Sequence, residues 1–327
     1  MSATLQTGQS NFGDRLRAHI SIARFDHVSK NVFVLPGILV AYRAIGGHIE
    51  TGLLLRNIVL GMIACTLVAC SNYVINEVLD AAYDRYHPTK KFRPVPSGRV
   101  NIPMAYAQWI VMMLLGLLVA YQVSGMFLAA CLSLWIMGCI YNIKPVRTKE
   151  VPYLDILSES INNPIRMLMG WYMVTDQTLP PATLLVAYWM IGAYFMGLKR
   201  FGEYRQISDP ALAATYRRSF KHYTERTLLV SVMFYSSAAM LFFGAFIARY
   251  RLELILAFPL VAWVMAVYLM ISFENDSAVQ NPEYLHRETR LMIPVLLCAA
   301  VLSTLMFVRI PALHNFFVRS NFEDAQR

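Results

Sequence analysis

Charged residues are scarce in this sequence. Only 15% of its 327 residues are Asp, Glu, Lys or Arg, whereas 57% are hydrophobic. A soluble globular domain usually devotes about a quarter of its residues to charge. The shortage excludes a disordered chain and an ordinary water-soluble enzyme, and it predicts an integral membrane protein.

Cysteine is also limited, and a leader-like apolar core is missing. The cysteines fall inside apolar stretches with no Cys-x-x-Cys spacing, which favours small core residues over a disulfide framework, a metal site or a redox site. Residues 1–31 contain no continuous apolar run, so we expect no signal peptide and insertion through internal spans. The five cysteines are Cys65, Cys70, Cys131, Cys139 and Cys298.

Basic residues outnumber acidic ones, with 29 Lys and Arg against 20 Asp and Glu. Such an excess can indicate nucleic-acid binding, but here the basic residues lie between apolar runs rather than on one basic face. We therefore expect no nucleic-acid partner.

Long apolar runs recur along the chain. A helix needs about 20 apolar residues to cross a hydrocarbon layer about 30 Å thick, and a window of that length finds nine candidates. Gln122, Ser124 and Gly125 interrupt one uncharged run, which predicts a tight helical hairpin. The sequence thus predicts an all-α, polytopic membrane bundle of nine transmembrane helices. They are residues 32–49, 55–79, 102–121, 126–143, 153–172, 181–199, 227–248, 254–273 and 291–309.

Positive charge is distributed unequally in this topology. With the N-terminus inside, the inner segments carry about three times as many Lys and Arg residues as the outer ones, and short cytoplasmic loops are enriched in these residues. The sequence therefore predicts a multi-pass protein of the plasma (inner) membrane with a cytoplasmic N-terminus.

Three segments are expected. Residues 1–31 form a cytoplasmic segment with an amphipathic helix in the membrane interface. Residues 32–309 form the transmembrane domain, and residues 310–327 form a polar C-terminal tail. The apolar face of the amphipathic helix comprises Phe12, Leu16, Ile20 and Ala23.

Polar side chains collect at the end of the second predicted span. Asn76, Asp80 and Asp84 are spaced by four residues, so on a helix they project from one stripe. Oxygen ligands of this kind suit Mg²⁺, which is usually completed by substrate phosphates and water. A solvated helix end is the simpler alternative, but three ligand-type residues in register favour a magnesium site.

A basic loop follows these carboxylates directly. Lys and Arg side chains can neutralise a metal-bound diphosphate as it departs. Taken alone, such a cluster is most often only the signal of a cytoplasmic loop, but beside Asp80 and Asp84 it predicts half of a phosphate site. Its members are Arg85, His87, Lys90, Lys91 and Arg93.

The end of the sixth predicted span repeats the spacing. Phe195, Lys199 and Glu203 again lie four residues apart. The two triplets occupy equivalent ends of two four-helix halves, which indicates a faint internal duplication. The first triplet supplies carboxylates and an amide, whereas the second supplies one cation and one carboxylate.

The fifth predicted span carries a polar stripe. Asp155, Glu159, Asn162 and Arg166 fall on one helix face. A charged side chain at this depth costs about 2.5–3.5 kcal/mol on insertion scales and usually faces the bundle interior. We expect Arg166 to contact an anion, and the alternative is a structural ion pair with Glu159 or Asp155.

These features resemble the UbiA-type intramembrane prenyltransferase superfamily. Its first motif, Asn-Asp-x-x-Asp-x-x-x-Asp, stands here as residues 76–84 (NEVLDAAYD). The chain is most similar to the decaprenyl-phosphate phosphoribosyltransferase branch, which carries His-Pro-Thr-Lys and Phe-Arg-Pro next, present here as residues 87–90 and 92–94. The branch's second motif, Tyr-x-x-x-Lys-x-x-x-Asp, aligns with residues 195–203, and its early Lys-Asn pair matches Lys30 and Asn31.

This resemblance implies a UbiA-like helical bundle with cytoplasmic motif loops. The implied activity is Mg²⁺-dependent transfer of a 5-phosphoribosyl group from phosphoribosyl diphosphate to a polyprenyl (decaprenyl-type) phosphate. The implied partners include the surrounding membrane lipids. The sequence leaves open whether the protein forms a homo-oligomer. Implied metal ligands are Asn76, Asp80 and Asp84, catalytic residues are Asp80, Asp84 and Lys199, and substrate-binding residues are Lys30, Asn31, Lys90, Lys91, Arg93, Asn162, Arg166 and Glu203.

The chain departs from the branch at several positions. Glu77 replaces an Asp, Phe195 replaces a Tyr, Glu203 replaces an Asp, and Val28 stands where a Trp is common. These changes leave Asp80 and Asp84 intact.

Two alternatives remain from the sequence. A prenyltransferase would move a polyprenyl group from its diphosphate to an aromatic or other small acceptor with the same first motif. A transporter would use the intramembrane charges as a path, but the polar residues crowd one side and no polar path continues to the other.

Overall fold

The protein is all-α. The computed structural model describes residues 12–85, 90–207, 217–275, 277–280 and 282–318, which form α-helices and 3-10 helices without a β-strand. Seven helices in this part of the chain are long and apolar enough to cross a membrane. They are Thr51–Asp84, Ile102–Tyr121, Gly125–Asn142, Ala182–Gln206, Glu225–Tyr250, Leu252–Ser272 and Thr289–Phe307. Of these, Leu252–Ser272 joins a 3-10 helix, Leu252–Ala257, to the α-helix Phe258–Ser272.

We number the α-helices in chain order. They are α1 (Phe12–Ile22), α2 (Leu35–Ala44), α3 (Thr51–Asp84), α4 (Ile102–Tyr121), α5 (Gly125–Asn142), α6 (Leu154–Ser160), α7 (Asn162–Val174), α8 (Ala182–Gln206), α9 (Glu225–Tyr250), α10 (Phe258–Ser272), α11 (Thr289–Phe307) and α12 (Pro311–Val318). The predicted hairpin at Gln122 to Gly125 is confirmed, since α4 ends before it and α5 begins within it.

Two predicted spans are not single helices of spanning length. The span 32–49 consists of the last turn of a 3-10 helix, Phe25–Val34, followed by the ten-residue α2. The span 153–172 is divided at Ile161 into α6 and α7. Pro164 explains the division, because it has no N–H for the preceding helical turn and is tolerated only near a helix start. Nine separate spanning helices are therefore not found among the described residues.

α3 and α8 are longer than the predicted spans 55–79 and 181–199. The 34 residues of α3 extend over about 50 Å, against about 30 Å of hydrocarbon. Its last turns, and those of α8, therefore project beyond the apolar layer. We call the side on which α3 and α8 finish the motif end.

Two glycines let α2 and α7 touch through their backbones. A Cβ at Gly37 would lie 2.0 Å from the carbonyl oxygen of Met167, and a Cβ at Gly170 would lie 2.0 Å from that of Val34. Only glycine fits at such a distance. This contact fixes the polar start of α7 relative to the segment before α2, which carries Lys30.

The N-terminal helix α1 packs on the motif end. Ala18 and Ile22 are buried with residues of α3 and α4, and the Gln108 amide donates to the His19 carbonyl at 2.9 Å. Leu16 and Ile20 on the predicted apolar face are about half exposed. The helix is thus held on its other side by the bundle.

Candidate functional site

The end of α3 presents the predicted triplet on one stripe, because Asn76, Asp80 and Asp84 are one helical turn apart. Asp84 is 6% exposed. The Asn76 amide donates to Oδ1 of Asn142 at 2.9 Å. Asn142 is the last residue of α5, so this bond ties the triplet to the next loop.

The loop between α5 and α6 supplies two cations to Asp80. Nη2 of Arg147 donates to Oδ1 of Asp80 at 3.0 Å, and the Lys149 ammonium donates to the same oxygen. The ammonium also donates to Oδ1 of Asn142 at 2.8 Å. Burial lowers the pKa of Lys149 to about 8, although the Asp80 carboxylate opposes this effect. The sequence interpretation gave these two basic residues no role in the site.

The basic loop after α3 is held by two carboxylates. Nη1 of Arg93 donates to Oδ2 of Asp84 at 2.7 Å. The backbone N–H of Val95 donates to Oε1 of Glu77 at 3.1 Å, and Oε2 of Glu77 lies 3.8 Å from Nε of Arg24. Glu77 thus anchors the loop that carries Arg93.

At the end of α8, a buried arginine gathers the acidic side chains. Arg200 is 2% exposed, and its guanidinium donates to Asp155 at 3.3 Å, to Glu159 at 2.6 Å and to Glu203 at 2.9 Å. A buried charge is tolerated when it is paired in this way. Lys199, the preceding residue of the chain, has no hydrogen bond or ion pair with the described residues.

Arg217 connects this cluster to a further loop. Its Nη2 donates to the Tyr141 hydroxyl at 3.1 Å, and its Nη1 lies 3.9 Å from both Asp155 and Glu203. The Tyr141 hydroxyl donates to Oε2 of Glu159 at 2.9 Å. The sequence interpretation counted Arg217 only as a loop charge.

Lys90 lies between the two helix tips. Burial lowers its pKa to about 8, while the carboxylates of Glu203 and Asp84 both raise it. The ends of α3 and α8 are therefore both close enough to Lys90 to act on its charge, which indicates that they face one polar compartment. Lys30 is close enough to Lys199 and Glu159 to interact with them electrostatically, and its ammonium lies 5.4 Å from the Tyr73 ring centroid.

Other predicted site residues lie apart from this compartment or serve packing. The Asn31 amide donates to the Thr66 hydroxyl at 3.0 Å, and that of Asn162 donates to the Glu159 carbonyl at 3.0 Å. Lys91 is exposed. Phe195 packs 4.5 Å from the Tyr268 ring centroid, which gives it a packing contact in place of the family's hydroxyl.

Arg166 is 7% exposed and makes no ion pair within the described residues. The alternative of an ion pair with Asp155 or Glu159 is wrong, because these carboxylates pair with Arg200. His87 lies outside the described residues.

The donor set at the α3 tip fits a magnesium ion that is shared with a substrate. Hydrogen bonds and ion pairs from the described residues reach only Oδ1 of Asp80 and only Oδ2 of Asp84, so the second oxygen of each carboxylate is not bound by the described residues. Across the described ranges, no group of three or more His, Cys, Asp or Glu side chains is placed to hold a metal ion by itself. Mg²⁺ typically takes one or two carboxylates and completes its shell with phosphates and water.

The fold and site define a multi-pass membrane protein with a polar chamber at one end. The UbiA prenyltransferase family matches residues 32–286, and the chain belongs to this family of membrane transferases. A UbiA homolog from Archaeoglobus fulgidus, whose structure was solved bound to GPP and Mg²⁺, has a TM-score of 0.65 and 19% sequence identity. That likeness covers 89% of this chain and 99% of the other and shows the shared fold.

Curated relatives carry two different activities in their names. A decaprenyl-phosphate phosphoribosyltransferase from Mycolicibacterium smegmatis is 32% identical over 206 residues, which are 61% of this chain and 60% of that protein. A protoheme IX farnesyltransferase from Colwellia psychrerythraea is 24% identical over 190 residues, 57% of each chain. The matches span about half to three fifths of these relatives' lengths.

Proposed function

We propose that this protein transfers a 5-phosphoribosyl group from phosphoribosyl diphosphate to a polyprenyl phosphate of the decaprenyl type. The alternative is transfer of a polyprenyl group from its diphosphate to an aromatic or other small acceptor. Both reactions expel diphosphate, so the α3 tip suits either of them. The α8 tip is where they differ.

The observation that carries the proposal is the positive charge at the α8 tip. A second metal-bound prenyl diphosphate would call for free carboxylates there. Oε2 of Glu203 is instead 2.9 Å from the Arg200 guanidinium and 3.9 Å from that of Arg217. Lys199 and Lys30 add two ammonium groups that no described carboxylate pairs. This excess of positive charge at the α8 tip favours a donor and an acceptor that both carry phosphate.

The residues of the α3 tip would bind the donor diphosphate. Asn76, Asp80 and Asp84 would hold Mg²⁺, which when bound supplies positive charge for the leaving diphosphate. Arg93 and Lys90 contact or approach Asp84 from the adjoining loop, so they can bind the same phosphates. Lys199 would hold a donor phosphate, with Glu203 orienting the surrounding cations.

The transfer requires no general base. A phosphomonoester has its second pKa near 6, so the acceptor oxygen carries negative charge at neutral pH. That oxygen forms a bond to the anomeric carbon of the ribose while the bond from this carbon to the diphosphate oxygen breaks. The electron pair leaves with the diphosphate, and no proton moves.

The membrane arrangement follows from the same proposal. We infer nine crossings, with α2 and its preceding 3-10 helix forming one and α6 with α7 forming another. The motif end would face the cytoplasm at the plasma membrane, where a soluble donor can reach it. Residues 32–309 would form this transmembrane domain, flanked by the segments 1–31 and 310–327.

A product analysis tests the proposal. Purified protein with Mg²⁺ is incubated with phosphoribosyl diphosphate and a polyprenyl phosphate, and separately with a prenyl diphosphate and an aromatic acid. We expect a lipid product heavier by one phosphoribosyl group in the first mixture only, detected by mass spectrometry. A prenylated aromatic acid would favour the alternative, for which the farnesyltransferase relative gives a specific reason.

A further inference from the structure

Arg166 is a buried cation that pairs with no carboxylate among the described residues. It belongs to α7, in which the adjacent residues of the chain, Ile165 and Met167, are also buried. Nε of Arg166 is buried with no hydrogen-bond acceptor, and the guanidinium makes no ion pair with the described residues. Leaving a charge unpaired inside a membrane bundle is costly. The position therefore suits an anion that the protein does not itself supply.

This cation lies deeper in the bundle than the two helix tips. The Arg166 guanidinium interacts electrostatically with Cys65 of α3 and Tyr188 of α8. Cys65 lies eleven residues before Asn76, and Tyr188 lies eleven residues before Lys199. At 1.5 Å per residue, each separation is about 16 Å along its helix. Sγ of Cys65 also lies 4.0 Å from Sδ of Met169, three residues beyond Arg166 on α7, so Arg166 lies inside the bundle and away from the diphosphate proposed at the tips.

The depth of Arg166 in the bundle favours one kind of anion over another. A soluble anion that enters from the motif end meets Lys30, Lys90 and Lys199 first. To reach Arg166 it would have to give up its hydration among apolar neighbours. An anion linked to an isoprenoid tail is already held at the membrane, and its tail is compatible with the apolar interior of the bundle. A lipid-linked phosphate is therefore the better match for this guanidinium.

We propose that Arg166 binds the phosphate head of the lipid acceptor, in a subsite separate from the donor diphosphate site at the tips of α3 and α8. This inference rests on the proposed function and names the acceptor contact within it. The ribosyl group would occupy the level between the two subsites, so that the acceptor oxygen approaches the anomeric carbon from the side away from the diphosphate. Arg166 would then touch the substrate, and Lys199 would serve the donor.

A kinetic comparison tests the separation of the subsites. We expect Arg166→Gln to raise KM for a short-chain polyprenyl phosphate about tenfold or more, as for a lost charge-assisted hydrogen bond, with KM for phosphoribosyl diphosphate changed less than threefold. Lys199→Gln should show the reverse pattern. Arg249→Gln, which removes an exposed arginine at the other end of the bundle, should leave both constants unchanged. Equal effects of Arg166→Gln on both substrates would overturn the proposal.

A binding measurement separates this inference from the proposed reaction. Thermal unfolding of the detergent-purified protein is followed with a short-chain polyprenyl phosphate, the matching polyprenol, or inorganic phosphate. The lipid phosphate should raise Tm more than the alcohol for the parent protein but not for Arg166→Gln. If this difference persists while no phosphoribosyl transfer occurs, the subsite stands and the reaction assignment fails.

Two results of the binding measurement would contradict the subsite. One is an undiminished Tm response of Arg166→Gln to the lipid phosphate. The other is an Arg166-dependent response to inorganic phosphate that equals the response to the lipid, which would assign the site to a free anion. If Arg166→Gln does not purify as folded protein, Arg166→Lys carries the same comparison. It keeps the charge but loses the bidentate fork, so KM for the lipid should still rise selectively.

Discussion

Asp84 is the side chain through which the proposed metal site can be tested most directly. Asp84→Asn keeps the size of the side chain but removes the negative charge that a magnesium ion requires. We expect turnover to fall below a tenth of the parent value while the purified protein stays folded. Measured product formation and the elution volume in gel filtration check these two expectations.

Asp26→Asn is the matched control for this change. Asp26 is also at the motif end, but its side chain is 70% exposed and belongs to no part of the proposed site. Asp26→Asn should leave turnover unchanged. If Asp84→Asn retains more than a tenth of the activity, the metal assignment is wrong.

The lowered pKa of Lys90 predicts how kcat/KM for the donor depends on pH. Burial lowers its pKa to about 8, so its ammonium is present at neutral pH and is lost as the pH rises above 8. The donor is an anion, and kcat/KM for the donor should therefore decline on the alkaline side with a midpoint near pH 8. The pH profile of kcat/KM reports groups of the free enzyme.

Lys90→Arg separates this lysine from other titrating groups. An arginine stays charged throughout the range, so the alkaline limb should move upward by at least one pH unit. Lys221→Arg changes an exposed lysine and should keep the parent profile. An unmoved limb in Lys90→Arg would assign the titration to another group.

Individual side chains were predictable where their spacing carried the signal. Asn76, Asp80 and Asp84 follow a helical repeat, which a sequence displays directly. Lys149 and Arg200 could not be assigned in the same way, because Asp80 and Asp155, to which they donate, lie 69 and 45 residues away along the chain. A basic residue between two spans is usually only an orientation signal, and proximity in space is what distinguishes these two.

At the scale of helices, the contact between α2 and α7 gives a stability prediction. Gly37→Ala would put a methyl group 2.0 Å from the Met167 carbonyl oxygen, so the two helices would have to separate. We expect a loss of about 1–3 kcal/mol, as for other overpacked sites, seen as a lower Tm in detergent. Gly244→Ala in α9 is the control, since its methyl group meets nothing within 4 Å, and its Tm should not fall.

Helix existence was predictable from the apolar runs, but helix lengths were not. The apolar window ends where charge begins, whereas α3 continues through Asp80 to Asp84 because its last turns are stabilised by packing and ion pairs. The division at Ile161 had a sequence signal in Asn162, Asn163 and Pro164, which is typical of a helix start. A search for 20-residue apolar runs does not weigh that signal.

At the scale of the whole molecule, the orientation in the membrane can be measured. Ser97→Cys is at the motif end and Gln177→Cys is at the opposite end, both at exposed positions. We expect a membrane-impermeant maleimide to label Gln177→Cys in intact cells and Ser97→Cys only after permeabilisation. The cysteines of the chain itself lie within the helices, and four of the five are buried, so the unchanged protein is a suitable blank. The opposite labelling pattern would reverse the proposed orientation.

The glycine contact between α2 and α7 also restricts where a lipid chain could pass between the helices. Main-chain atoms of the two helices meet there with no room for even one added methyl group, so this seam is closed to a hydrocarbon chain. Under the proposed function, the tail of a long isoprenoid substrate would therefore enter the bilayer along another helix boundary.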